Sequence, residues 1–275
     1  SLFGGNKEWH STWSKRGLTD GYMAPVSALQ IDAARLTSSR NKLVWLAKRT
    51  DAPVTQAGQL FIDSLNARGL AAGLVAKERK LPTSSQVIAS VQSRPMREWI
   101  ENMLRVSDNS LAEALARLSS LKLGLDGSMK SLTPLYKQVL GARGLDVSKL
   151  KIVDASGLSR DNQVPVSIVN DVLALVNNGV GNYSVIEAGL PISGERGSLR
   201  TRFAGGNLAA AKGLVIAKTG YITSGYSLAG FLKARDGSEL IFTVYNLSER
   251  ARLTQRNALD NLVYRFYQCG AKLSG

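Results

Sequence analysis

The chain has 275 residues, 44% of them apolar and 20% charged, enough to bury a large core in one domain or one and a half. Its formal charge of +14 predicts attraction to polyanions, whether nucleic acid, an anionic membrane or an anionic cell-wall polymer. No apolar run reaches the roughly eighteen residues of a membrane span, the start SLFGGNKEW lacks the pattern of a signal peptide, and the single cysteine, Cys269, excludes an internal disulfide.

In chain order, residues 1–50 read as irregular, with a strand-like stretch, PVSALQI, at 25–31. Leu60, Phe61, Leu65 and Leu70 recur at helical spacing and predict a helix from Pro53, with Gly69 as its stop. Residues 77–85 are polar with a proline and read as a linker, which places a domain boundary near residue 88. Beyond it Pro95 opens a helix through Trp99, Met103 and Leu104, and Ser107, Asp108 and Asn109 interrupt it. Ser110 with Glu113 three residues later has the pattern of a capping box for the next helix, whose apolar stripe is Leu111, Leu115, Leu118 and Leu121.

Further helices are predicted over 133–143, 165–177 and 183–188, with a short strand at 151–153. Three strands follow over 214–222, 226–234 and 240–246, the last two joined by Arg235-Asp236-Gly237-Ser238, a strong hairpin signal. An amphipathic helix over 251–268 closes the chain, with Cys269 read as a half-buried helix residue. The pattern is α/β (α+β): an antiparallel sheet flanked by helices over 89–275, preceded by a separate piece over 1–88.

Elimination narrows the chemistry. The one histidine, His10, lies in an irregular stretch, and no G-x-S-x-G elbow, H-E-x-x-H or phosphate loop occurs, so triad, metal and nucleotide chemistries lack their residues. No zinc-finger, RNA-recognition or basic-zipper pattern accompanies the scattered basic residues, so the sequence predicts a solvated basic surface and no nucleic acid partner. Hydrolysis assisted by serine and lysine remains, with its signature of S-x-x-K, S-x-N and K-[TS]-G. Lys218-Thr219-Gly220 occurs once, on a predicted strand, where a lysine needs a reason. S-x-N occurs three times, but only Ser107 to Asn109 lies at a joint between helices. The bland readings are a snorkelling edge-strand lysine for Lys218 and ordinary helix capping for Ser107 and Asn109.

APVSAL at Ala24, SDNSLAEAL at Ser107, DASGLSR at Asp154, LPISG at Leu190, GSL at Gly197 and AKTG at Ala217 follow one another in a specific order. That ordered set resembles the class C penicillin-binding proteins, D-alanyl-D-alanine carboxypeptidase/endopeptidases with a domain inserted between nucleophile and S-x-N motif, and it covers nearly the whole chain. The resemblance implies a β-lactamase/transpeptidase-like domain over 89–275 and the remnant of the inserted domain, with its linker, over 1–88. It implies that Lys218 supplies positive charge, Thr219 bonds the substrate's terminal carboxylate, and Gly220 lets the substrate lie along the strand. Tyr221 would give its N–H to the oxyanion, Ser107 would relay a proton to the leaving amine, and Asn109 would hold the substrate amide and the nucleophile's lysine. Asp154, Ser156 and Arg160 would shape a loop beside the cleft.

The resemblance also implies a nucleophile ahead of the inserted domain, and hence upstream of this chain, as would be any export signal. Three stretches spell S-x-x-K, at Ser39, Ser119 and Ser148. Ser119 falls inside a predicted helix and Ser148 follows the other motifs, so Ser39 with Lys42 is the only candidate pair of suitable order. The expected substrates are peptidoglycan stem peptides, with β-lactam antibiotics as covalent inhibitors, anionic wall polymers as further partners, no metal or cofactor, and an extracytoplasmic location. The rival readings are a noncatalytic muropeptide-binding homologue, a β-lactamase using Ser39, and a basic nucleic-acid-binding protein. Taken alone, the chain is either active through Ser39 or inactive.

Overall fold

The computed structural model describes residues 3, 8–37, 47–70, 73, 75 and 84–273. The helices are α1 (Arg16–Thr19), α2 (Pro53–Asn66), α3 (Met96–Val106), α4 (Asn109–Lys122), α5 (Leu132–Gly141), α6 (Val166–Asn177), α7 (Ser184–Gly189) and α8 (Leu253–Cys269). The strands are β1 (Val215–Ile222), β2 (Gly225–Lys233) and β3 (Glu239–Leu247), an antiparallel sheet in the order β1-β2-β3. The chain divides into two compact units: Ser1–Arg94 with Asn109–Leu135 and Asp154–Ser156, and Pro95–Asp108 with Tyr136–Val153 and Gly157–Gly275.

In the second unit, the sheet's period of two and the helix's period of 3.6 meet in one core. Val215 and Ala217 from β1, Leu228 and Leu232 from β2 and Phe242 from β3 pack with Val263 and Tyr267 of α8. Each fully buried leucine or phenylalanine there contributes on the order of 2 kcal/mol. The turn between β2 and β3 closes as its Asp-Gly pair predicts: Gly237 has φ 86°, and the Ala234 N–H donates to Ser238 O at 2.8 Å.

Gly230 pairs with Ala217 and Phe242, and a Cβ there would come within 2.1 Å of Ile216 O and 2.6 Å of Ala217 Cα. Backbone atoms cannot step aside as a side-chain tip can, so β1 itself would have to shift. Gly230→Ala is expected to cost about 1–3 kcal/mol, read as a lowered midpoint in urea unfolding.

Glycines also fix α3. A Cβ on Gly189, the last residue of α7, would meet Glu101 Cα at 2.9 Å, and one on Gly197 would meet Arg105 O at 2.8 Å. Bare backbone at these two positions lets α3 lie tightly against α7 and the 197–199 turn, and α3 ends at Ser107.

In the first unit, α4 is organised around a buried ionic group. Arg117 is fully buried, ion-pairs with Glu8 and lies 3.6 Å from the equally buried Glu113. The capping box expected from Ser110 and Glu113 does not form. Glu113 Oε1 instead accepts the N–H groups of Ala155 (2.8 Å) and Ser156 (2.9 Å), while Asp154 accepts from Trp13 Nε1 at 2.6 Å. The carboxylate one turn into α4 is thus drawn inward to hold the DASG backbone.

Burial, with Asp154 nearby, raises Glu113 to about 6 from its ordinary 4.5. Because the folded value is the higher one, the stabilising contribution is full below pH 4.5 and is lost as pH rises through about 6. Its size is about 2 kcal/mol. Glu113→Gln is expected to flatten that part of the stability-against-pH curve, measured by urea unfolding between pH 4 and 7.

Two short strand expectations resolve into single bridges, Glu8 with Val26 and Lys151 with Gln163, because each stretch finds a partner for only one residue pair. Cys269 is exposed and not half-buried, since it lies at the last residue of α8, beyond the buried stripe of Leu259, Val263 and Tyr267.

Candidate active site

Ser107 closes α3 in the left-handed conformation, φ 55° and ψ 52°, and the N–H of Asp108 returns to Met103 O at 3.1 Å. A non-glycine residue there carries strain on the order of 1 kcal/mol. The hydroxyl of Ser107 accepts a hydrogen bond from Lys218 Nζ at 2.7 Å. The same ammonium donates to Thr219 O at 2.7 Å. Since Lys218 donates to Ser107 Oγ, the serine's own proton is available to be passed onward.

Lys218 is partly buried, and loss of hydration around its ammonium lowers it to about 8 from the ordinary 10.5. Charge is thus retained at neutral pH but held loosely, as suits a group that gives and recovers a proton.

The backbone of β1 explains why this strand is open to a ligand. Ala217 donates its N–H to Pro191 O at 2.9 Å and Val215 to Ser193 Oγ at 3.2 Å, both away from β2. The ladder repeats every two residues, so the N–H groups of Thr219 and Tyr221 point to that same outer edge. An extended peptide could add there as a strand, with Tyr221 N–H as a donor to an oxyanion.

Side chains alternate as well. Lys218 reaches Ser107, whereas Thr219 Oγ1 meets Ser198 Oγ at 2.6 Å. Thr219, Gly220 and Tyr221 line a cleft of about 290 Å³ with Ser198, Arg202, Tyr226 and Arg256. The rings of Tyr221 and Tyr226 stack at 4.7 Å and form an apolar wall. A Cβ on Gly220 would fall 2.2 Å from Ser227 Oγ on β2, a side-chain tip that would have to turn aside to admit it.

The structure therefore brings Ser107, Lys218 and Thr219 together and sets Gly220 and Tyr221 beside Thr219. Asn109, the first residue of α4, belongs to the first unit, where its Nδ2 donates to Tyr22 O at 2.9 Å. Ser39 and Lys42 lie outside the described residues. The other spellings have local roles: the Ser119 hydroxyl donates to Leu115 O within α4, and the Ser148 N–H donates to Asp146 in a turn. The sequence pointed to GSL without a task for Ser198 and passed over Arg256, whose only signal was its place in a basic run. Among the described residues no group of three or more His, Cys, Asp or Glu side chains could hold a metal ion, and no helix is long and apolar enough to cross a membrane.

The model of the D-Ala-D-Ala carboxypeptidase 3 (S13) family matches residues 36–266. Carboxypeptidase DacB of Mycolicibacterium smegmatis is 30% identical over 264 residues, covering 94% of this chain and 55% of that protein. The D-alanyl-D-alanine carboxypeptidase of an Actinomadura species is 28% identical, over 82% of this chain and 41% of its own. The crystal structure of penicillin binding protein 4 (dacB) from Haemophilus influenzae superposes with a TM-score of 0.66 at 25% identity, over 81% of this chain and 50% of that one. The transpeptidase-like fold expected from the sequence is the fold of that structure. The chain spans about half the length of the curated relatives it matches.

Proposed function

Because the chain belongs to the D-Ala-D-Ala carboxypeptidase 3 (S13) family, we propose that it carries the proton-relay and substrate-docking half of an extracytoplasmic serine carboxypeptidase/endopeptidase acting on peptidoglycan stem peptides. The observation that supports this most directly is the 2.7 Å bond from Lys218 to Ser107 beside an open strand edge.

The reaction follows from these groups. The oxygen of the nucleophilic serine, assigned by motif order to an S-x-x-K segment ahead of the inserted domain, attacks the carbonyl carbon of the penultimate D-alanine as its hydroxyl proton passes to the lysine of that segment. Negative charge develops on the carbonyl oxygen, where Tyr221 N–H would donate to it. As the carbon–nitrogen bond breaks, Ser107 gives its hydroxyl proton to the leaving amine and recovers one from Lys218. Water then hydrolyses the acyl-serine. Residues 24–29, 107–109, 154–160, 190–199 and 217–220 carry the ordered motifs that support this reading.

The test incubates the full-length protein with a fluorescent penicillin, takes its intact mass, and assays D-alanine release from a stem peptide. A stable adduct and released D-alanine are expected, with both rates lowered about 10²–10³-fold by Ser107→Ala. Absence of both adduct and release would overturn the reading in favour of a noncatalytic muropeptide binder. An adduct formed by residues 1–275 alone would place the nucleophile at Ser39 instead.

A further inference from the structure

Ser107 ends α3 and Lys218 lies on β1, two elements with no backbone hydrogen bond between them among the described residues. The segment 190–199 touches both. On the β1 side, Pro191 O accepts the Ala217 N–H at 2.9 Å and the Ser193 N–H donates to Val215 O at 2.9 Å. On the α3 side, the bare backbone of Gly197 lies so close that a Cβ there would come within 2.8 Å of Arg105 O. A displacement of this segment therefore moves Lys218 relative to Ser107.

The side chain of Arg196 anchors the segment. Its Nη2 donates to Ala188 O at 2.8 Å and to Leu190 O at 3.2 Å, carbonyls at the C-terminal end of α7, where a cation is also favoured by the helix dipole. Its backbone exchanges hydrogen bonds with Ile192, each 3.1 Å long, and Ile192 in turn bridges Ile216 of β1. One residue thus ties α7, against which α3 lies, to the strand that carries the lysine. The Arg196 Nε is buried with no hydrogen-bond partner among the described residues. A methionine of similar length would fill the space without that unpaired donor, so what the arginine adds is the link to α7.

We propose that Arg196 is a positioning residue for acylation, holding the segment 190–199 so that Lys218 and Ser107 stay within hydrogen-bond reach. The assignment rests on the acyl-serine reading above and extends it to a residue outside the S-x-N and K-[TS]-G motifs. The bond from Lys218 to Ser107, 2.7 Å long, tolerates little movement. A shift of about 1 Å in a reacting geometry costs on the order of 10²-fold in rate. Drift of α3 away from β1 would also readmit water to the Lys218 ammonium, whose lost hydration is what lowers it to about 8. Loss of Arg196 therefore has a mark that simple destabilisation lacks: slower acylation together with an alkaline decline displaced upwards.

The test follows acylation of the full-length protein by a fluorescent penicillin in stopped flow, from pH 6 to 10, for wild type, Arg196→Met and Arg196→Lys. Rates are normalised to the folded fraction, taken from urea unfolding and from the final amplitude of labelling. Arg196→Met should lower the saturating acylation rate about 30-fold and leave the half-saturating penicillin concentration within about threefold. Its alkaline decline should move from about 8 towards 10.5. Arg196→Lys, which can reach one of the two carbonyls, should recover part of the rate and bring the decline back towards that of wild type. An unchanged saturating rate in Arg196→Met would overturn the assignment, as would a slower rate with the decline unmoved, or a lysine variant no better than the methionine one. Gly189→Ala is an independent check that leaves Arg196 in place: its Cβ, 2.9 Å from Glu101 Cα, would push α3 off α7. The same paired change of rate and decline is expected there, and its absence overturns the proposal even if Arg196→Met does not fold. A wild type that takes no penicillin adduct overturns the enzymatic reading itself, and this assignment with it.

Discussion

Lys218→Ala is expected to lower the rate of penicillin acylation of the full-length protein by about 10³-fold or more. The substitution removes both the donor to Ser107 and the charge beside the open edge of β1. The same variant should unfold no more readily than wild type. Folding moves this lysine from 10.5 to about 8, so the folded state holds the proton less tightly than the unfolded one. From this group alone, stability is gained as pH rises from about 8 towards 10.5 and is withheld below. A lysine that weakens the fold at neutral pH yet stands at the relay is placed by function.

The pH dependence has a definite sign. Below about 8 the ammonium is intact and can return a proton to Ser107; above it the proton is lost and the acylation rate should fall. Lys218→Arg should slow acylation, because the fork is larger and planar, but should remove the alkaline decline up to about pH 10. Stopped-flow labelling from pH 6 to 10 reads both effects. A wild-type rate flat through that range would show that the charge on Lys218 is not used.

Asp260→Ala is expected to destabilise the second unit by about 3–5 kcal/mol, because it leaves the Arg202 guanidinium buried and without its counter-charge. Both groups are almost fully enclosed, Arg202 at 8% and Asp260 at 4% exposure, so water cannot replace the lost partner. Asp260→Asn should cost less, since one oxygen remains as an acceptor. The pair Asp260→Leu with Arg202→Met should recover much of the loss by substituting packing for charge. Urea unfolding of the single and double variants tests this. A single variant as stable as wild type would mean that Arg202 finds another partner or turns into the cleft it lines.

Which parts of this architecture can be read from sequence follows from how local the governing physics is. The three strands and α8 are legible because their apolar periods are set residue by residue and the Asp236-Gly237 turn closes within four positions. Lys218 and Ser107 are legible as motif members, and their opposed roles follow once strand and helix end are in place. Glu113 is not. Its pattern with Ser110 is that of a cap, and only the arrival of residues 155 and 156 from forty positions away turns it inward. The pairing of Arg202 with Asp260 is likewise invisible, because the two lie 58 positions apart and nothing in a run of basic residues marks which arginine meets a carboxylate.

The left-handed backbone of Ser107 sets fold maintenance against activity at a single atom. Glycine would occupy φ 55° without strain, so Ser107→Gly should be neutral or slightly stabilising, by up to about 1 kcal/mol. It would also delete the hydroxyl that Lys218 holds. A library sorted only for heat tolerance would therefore enrich a substitution at this helix end that removes the relay's hydroxyl. Thermostable variants should accordingly be selected with penicillin labelling as a simultaneous gate, so that survivors keep the oxygen along with the fold.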